Sequence, residues 1–297
     1  ADSVVMVEDT TGRGGLVRFS KAPRKGANVC KRGEDIRKGD KILQRGTIVT
    51  VAHIAALAAA GRSHVVTGAS PKVALINTGG EIAPTGAKLR GNQIYNSNGP
   101  MLAALLRADG LAAEPEIVRD DAGKLKAAFA KALKADVVLI SGGVSMGDYD
   151  LVPGVLKGLG VREIFHKVRM KPGKPLFFGR KGRTIVFGIP GNPVSNFLAY
   201  LAFVRPALLL MSGRPDYAPE YGTGLCAERF EPRASRKAFM LSRTVEKNGR
   251  RFLREVSSNG SADILALAKA DGFTIVDESK KVLKKNETAR FLTWSRR

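Results

Sequence analysis

The sequence predicts an α/β fold in which a central sheet domain is flanked by a β-rich N-terminal region and a small C-terminal β domain. Three observations carry that prediction. Between residues 71 and 212, apolar runs of buried-strand length alternate with helix-periodic stretches, as in a parallel or mixed sheet covered on both faces. Ahead of this block, short strand-like segments are separated by Gly-rich turns. Behind it short strands return, and the pair KAFMLSRTVEKNGRRFLREV is joined by Asn248-Gly249, a strong signal for a hairpin with a primed turn. The expected domains are therefore 1–70, 71–212 and 213–297, the last of them barrel-like.

The elements follow in order. In the first region, Gly33, Gly39 and Gly46 are spaced for tight turns. The helix VAHIAALAAAG has Thr50 as its N-cap and Gly61 as its stop. KVALINT is a buried strand, and NSNGPMLAALLRADG is a helix with Pro100 in its first turn and Gly110 as terminator. AEPEIV is a short strand, and DDAGKLKAAFAKALK is a helix capped by Asp120 or Asp121. DVVLI is a further buried strand and LVPGVLKGLG a short helix. Strands at VREIFHKV, PLFFGR and TIVFGI precede the long helix NPVSNFLAYLAFVRPALLLM.

Composition narrows the function classes. With 297 residues the chain can build one large or two to three ordinary domains. Cys30 and Cys226 are too few for a disulfide framework or a cysteine-based zinc site. The sequence has no leading secretory segment and reads as having no apolar run long enough to span a bilayer, so a cytoplasmic protein without membrane contact is expected. It begins ADSVVMVEDT, without Met and inside a strand-like pattern, and is read as a fragment lacking its true N-terminus. The formal charge of +22 has two readings, attraction to anionic partners or a general basic bias on solvated faces. The cations are scattered and no aromatic-rich strand pattern accompanies them, so nucleic acid is not the expected partner.

Three Gly-rich polar loops fall at the carboxyl ends of predicted strands, where open α/β sheets bind ligands. They are Asn77 to Glu81 (NTGGE), Ser141 to Ser145 (SGGVS) and Pro190 to Ser195 (PGNPVS). Glycines there allow a ligand close to the backbone. No Walker loop and no dinucleotide fingerprint is present. A fourth loop, VRMKPGKPLFFG, presents Lys171 and Lys174 from a stiff Pro-Gly turn, facing either an oxyanion or only solvent. Asp148 and Asp150 offer hard oxygens suited to Mg²⁺, although Asp150 could equally cap the next helix. His53, His64 and His166 form no metal set and are read as structural, and Trp294 as packing.

INTGGEI, GNQIYNSNGPMLAALL, SGGVSMGDYDLV, MKPGKPLFFG and GIPGNPVSNF, in this order and spacing, closely resemble the MoeA/gephyrin E-domain family, the molybdopterin molybdotransferases of molybdenum cofactor synthesis. The likeness runs along essentially the whole chain. It implies a molybdopterin-binding-like central domain and a transferase that inserts molybdate into adenylylated molybdopterin, with Mg²⁺-dependent release of AMP. It also implies a homodimer. By resemblance, Gly142, Gly143, Val144 and Ser145 line the pterin or nucleotide site, and Asp150 matches the family's essential acidic position. Lys171, Lys174 and Ser195 match positions associated with anionic groups or molybdate, and Asp35 matches another acidic position of the cleft. Arg236 and Ser261 align loosely with molybdate contacts. Thr78, Gly79, Glu81, Ser97, Pro190, Gly191, Asn192 and Pro193 complete the substrate-binding set, with Asp148 and Asp150 for the metal.

Two departures stand out. The family's first loop reads Ser-Thr-Gly-Asp-Glu-Leu, but here Asn77 and Gly80 replace its Ser and Asp. The family's Met-Asp-Gly-Tyr-Ala segment would lie ahead of Ala1. They leave a second reading, an impaired paralogue that binds molybdopterin or a related nucleotide without turnover.

Overall fold

The chain divides into two units, Ala1–Thr67 and Gly68–Arg297, in a computed structural model that describes residues 1–145, 150–232 and 235–294. In the first unit, β1 (Thr10–Arg13) and β2 (Leu16–Phe19) form an antiparallel hairpin, the unit's one strand pair among the described residues. The segment from Ser20 to Val49 is turns, and Gly33, Gly39 and Gly46 adopt positive φ of 75°, 100° and 87°. Helix α1 (Val51–Ala59) starts at Thr50, whose backbone N–H donates to His53 Nδ1 at 3.1 Å, which explains that histidine as a cap. No described side chain of this unit is fully buried, and Leu16, Val17 and Phe19 are exposed.

The second unit is built on a six-stranded sheet. In chain order its elements are β3 (Val73–Thr78), β4 (Ile82–Ala83), β5 (Ile94–Tyr95), α2 (Asn98–Ala108) and β6 (Pro115–Val118). Then come α3 (Ala122–Ala132), β7 (Val137–Ser141), α4 (Leu151–Gly158), β8 (Arg162–His166) and β9 (Met170–Lys171). β10 (Phe177–Lys181), β11 (Thr184–Ile189) and α5 (Pro193–Ala199) follow. The strand order is β6-β3-β7-β11-β10-β8; the first four run parallel, and β10 is antiparallel to both its neighbours.

Every residue of β7 is buried, as its uninterrupted apolar sequence requires of a central strand. Alternation then sorts its side chains. Val137 and Leu139 pack with Leu102 and Leu106 of α2 and Leu198 of α5, whereas Val138 and Ile140 pack with Phe129 of α3 and Leu156 of α4. Of the two acids proposed as cap for α3, Asp121 does it, accepting from Lys124 N at 2.8 Å.

The long apolar helix is not one α-helix. It passes through a π-helical stretch, Tyr200–Val204, into α6 (Arg205–Met211). Pro206 lacks the N–H that an α-helix would need there, and a π stretch re-routes the ladder. Beneath it, buried Arg205 pairs with Asp109 at 2.9 Å, and Tyr200 donates to the same carboxylate at 3.0 Å. The sequence reading found no membrane-length run. Pro193–Met211 does have the length and hydropathy of one, but 67% of its apolar window is buried inside the protein, so it serves as a core helix.

The remaining strands are β12 (Tyr221–Cys226), β13 (Lys237–Lys247), β14 (Arg250–Glu255), β15 (Gly272–Val276) and β16 (Thr288–Thr293), with α7 (Ile264–Lys269) before β15. Their pairings close in a ring, β12-β16-β15-β13-β14 and back to β12, which makes a small barrel. Asn248 and Gly249 take φ of 50° and 68°, the primed turn their sequence demands. Cys226, Phe230, Leu253 and Phe291 fill the barrel, while Leu241, Phe273 and Leu292 face outward into the core shared with α5. Trp294 stacks edge-on against Phe197, as packing.

Candidate functional site

The carboxyl ends of β3, β7 and β11 open onto a cleft of about 1660 Å³ whose far wall is the barrel. The three Gly-rich loops meet there. Gly142 and Gly143 have φ of 95° and 63°, and both face the first loop. A Cβ on Gly142 would lie 2.6 Å from the Thr78 carbonyl oxygen, and one on Gly143 would lie 2.8 Å from Thr78 Oγ1. These glycines thus bring two loops into contact with each other, a role the sequence reading had assigned to ligand approach alone. Val144 is buried, and its carbonyl lies 2.8 Å from His166 Nε2, which pins the second loop from behind.

Two buried asparagines anchor the third loop. Asn98 at the start of α2 donates to the Gly191 carbonyl at 2.6 Å, and Asn196 on α5 donates to the Pro190 carbonyl at 2.9 Å. Both also donate to Ser141 Oγ at the end of β7. Ser261, on the segment before α7, closes the other side: its hydroxyl accepts from Asn192 and its carbonyl accepts from Val194 N, at 2.9 and 3.0 Å. The lysine-bearing turn bridges the two sheets, because β9 pairs in parallel with β13 and sets Lys171 opposite Ala238.

Seventeen of the expected site residues line this one cleft: Thr78, Gly79, Glu81, Ser97, the run from Gly142 to Ser145, Asp150, Lys171, Lys174, the run from Pro190 to Pro193, Ser195 and, from the barrel side, Arg236, with Ser261 as an eighteenth. Asp35 belongs to the first unit, where it is exposed. Asp148 lies outside the described residues. Asp150 does occupy the N-cap position of α4, yet its side chain makes no capping hydrogen bond. The capping alternative therefore does not account for it.

Sequence reasoning missed several contributors. Asp120, weighed only as a helix cap, instead accepts from Gly80 N at 3.1 Å and lines the cleft. Its signal was the doubled acid at 120 and 121, of which a single helix needs one. Glu228, Glu231 and Glu255 come from the barrel rim, and burial with the neighbouring Glu228 charge pushes the Glu255 carboxyl up. Among the described residues the cleft carries six carboxylates against three cations, in a chain whose formal charge is +22. Its walls also hold buried polar atoms that have no hydrogen-bond partner among the described residues: Thr78 Oγ1, Asn77 Oδ1 and Arg236 Nη1. Such atoms are costly unless a ligand or water meets them.

Comparison with known proteins gives matches in three segments along the chain. Residues 1–61 match the model of the MoeA N-terminal region (domain I and II), 74–209 that of a probable molybdopterin binding domain, and 223–294 that of the MoeA C-terminal region (domain IV). A molybdopterin molybdenumtransferase of Haemophilus influenzae is 29% identical over 292 residues, covering 97% of this chain and 72% of that protein. Molybdopterin molybdenumtransferase 2 of Mycobacterium tuberculosis is 35% identical over 245 residues, covering 80% of this chain and 60% of that protein. The chain thus spans between 60% and 72% of the length of these two relatives. The crystal structure of the molybdopterin biosynthesis MoeA protein from Pyrococcus horikosii superposes with a TM-score of 0.80 at 30% identity, over 98% of this chain and 72% of that one. From its N-terminal unit through its sheet domain to its closing barrel, this chain belongs to the MoeA family.

Proposed function

We propose that this chain is a molybdopterin molybdotransferase of molybdenum cofactor synthesis, which inserts molybdate into adenylylated molybdopterin with Mg²⁺-dependent release of AMP. The observation that carries this reading is the convergence of all three Gly-rich loops, both lysines and Arg236 on one cleft, whose buried polar atoms include three without a partner among the described residues. Gly142, Gly143, Val144 and Ser145 form the floor for the pterin nucleotide. Lys171, Lys174, Ser195, Arg236 and Ser261 supply cations and donors for its phosphates and for molybdate. Such a site works by positioning and charge neutralisation rather than by a covalent nucleophile.

The carboxylates fit a hard divalent cation, which takes a few carboxylates plus substrate phosphates. Asp150 and Asp120 are the residues that would hold it, and bound Mg²⁺ would offset phosphate charge between the acidic cleft and an anionic substrate. The acid missing at position 80 does not empty that set, because Glu81, Asp120 and Asp150 all line the cleft. This favours turnover over binding without reaction. A homodimer, in the cytoplasm, is part of the same reading; the exposed Leu16, Val17 and Phe19 of the first unit are apolar area that a second copy would cover.

The test is to mix the protein with adenylylated molybdopterin, Mg²⁺ and molybdate and to follow AMP. Release is expected, and Asp150→Asn should abolish it while leaving the melting temperature within a few degrees of the parent. Tight nucleotide binding without AMP would instead identify the impaired paralogue, and full activity in the variant would remove Asp150 from the reaction.

A further inference from the structure

The barrel's outer surface carries a second feature unrelated to the cleft. Strand register fixes which side chains share that surface. Arg243 lies opposite Arg254, Val245 opposite Phe252 and Lys247 opposite Arg250 across β13 and β14. The parallel pairing of β14 with β12 sets Phe252 beside Leu225, and β12 pairs on with β16 so that Thr223 faces Arg290. Directly paired residues point to the same side of a sheet. One continuous face across four strands therefore presents Arg243, Lys247, Arg250, Arg254 and Arg290. No carboxylate occupies it among the described residues; Glu246 and Arg251 pair with each other on the opposite side.

This face is built against its own electrostatics. Arg243 against Arg254 and Lys247 against Arg250 are like charges directly across a ladder, an arrangement that destabilises a sheet. None of these four side chains has an ion-pair partner among the described residues. Between the two charged rungs sit Val245, 45% exposed, and the half-buried Phe252 ring. At the edge of the face Tyr221 is 45% exposed, with the Arg290 guanidinium 4.4 Å from its ring centroid.

We propose that this face binds single-stranded nucleic acid. The charged rungs lie four residues apart, roughly 13 Å along the strands, a distance that spans about two nucleotides of an extended strand. Phosphates at the rungs would remove the repulsion, a base between them would stack on Phe252, and a base beyond the Lys247–Arg250 rung would stack on the Tyr221–Arg290 pair. Cations that follow a backbone and aromatic rings that accept any base are how barrel sheets hold single strands without sequence preference. An acidic protein segment would satisfy the cations but would leave the rings without a role, which is why nucleic acid is favoured. The sequence expectation against nucleic acid rested on cations scattered along the chain and on the lack of an aromatic strand pattern; five of those cations are gathered here by strand pairing. The rings come from two strands 31 positions apart, and only barrel closure brings them together.

The test is fluorescence anisotropy of a labelled 12-nucleotide oligouridylate with the full chain, titrated across a range of salt concentrations. Binding is expected to weaken steeply as salt rises. Arg243→Gln with Arg254→Gln should weaken it at least tenfold without lowering the melting temperature, since the pair relieves a repulsion. Tyr221→Ser should weaken the oligonucleotide about fivefold or more, yet leave binding of heparin, which has no bases, unchanged. No binding at 100 mM salt would overturn the proposal. So would binding that survives the double arginine variant, which would assign it to net charge alone. Equal loss or equal retention of both ligands in Tyr221→Ser would do the same, because a polyanion surface without base stacking would account for it.

Discussion

Gly143→Ala tests the construction of the cleft floor most directly. The residue has φ of 63°, where an alanine costs about 1–2 kcal/mol. Its new Cβ would lie 2.7 Å from Val152 Cγ2 and 2.8 Å from Thr78 Oγ1. Val152, on the buried side of α4, is 1% exposed and packed in the core, so it cannot swing away. Overpacking of that kind adds about 1–3 kcal/mol. The expected loss is therefore about 2–5 kcal/mol, a large part of the total for a typical domain. If the loop moves instead, part of the strain is relieved at the cost of cleft geometry, and AMP release falls by as much as about a hundredfold. Urea unfolding and AMP release together read both outcomes. Gly154→Ala is the control: it sits on the exposed side of α4 with nothing within 4 Å of its Cβ, and it should gain about 0.5–1 kcal/mol. A Gly143→Ala protein with parental unfolding midpoint and parental AMP release would refute the reasoning, as would equal losses in the two variants.

Two further changes probe the parts around the site. Asp109→Ala takes from Arg205, 8% exposed, its close carboxylate, leaves it the more distant Glu220 at 3.8 Å, and removes the acceptor of Tyr200, so a loss towards the lower end of about 3–5 kcal/mol is expected in chemical unfolding. Glu255→Gln should raise the melting temperature near neutral pH. Burial and Glu228 raise the Glu255 carboxyl, so its stabilising contribution is complete below its unfolded value, roughly 4.3, and is lost as pH rises through the higher folded value. The advantage of the variant should accordingly shrink in acid, and a constant offset across pH would show that charge is not the cause.

Most of the fold was legible because its signals are local. DVVLI has no polar residue that could face water after its first position, and Asn248-Gly249 admits few conformations other than the turn it makes. The loops at the strand ends were legible for the same reason, since their glycines and polar residues mark where the apolar runs stop. What stayed hidden depends on contacts distant in sequence. Asp120 and Asp121 are chemically identical neighbours, and only the hydrogen bond from Gly80, forty positions away, separates the cleft acid from the helix cap. Asn98 and Asn196 read as ordinary helix-start residues until the register of β7 brings Ser141 between them. The π stretch was hidden differently: the apolar pattern of the helix continues unbroken across Pro206, and its periodicity tolerates the shift.

Charge distribution links the cleft to the rest of the molecule. The anionic pterin nucleotide of the proposed function would be attracted at long range by a chain of formal charge +22, which would raise its encounter rate and make that rate sensitive to salt. Inside the cleft the balance reverses, with six carboxylates against three cations among the described residues. Attraction at a distance would then turn into repulsion at contact unless a cation enters with the substrate. Under the proposed function a divalent cation and the nucleotide would each raise the affinity for the other, and because linkage is reciprocal the site would need to hold neither tightly alone. The five cations of the barrel face are not among the residues that line the cleft, and Arg254 points to the side of the sheet opposite its neighbour Glu255. A chain that kept its surplus positive charge only to capture substrate would have placed it at the cleft, and this one has placed acids there.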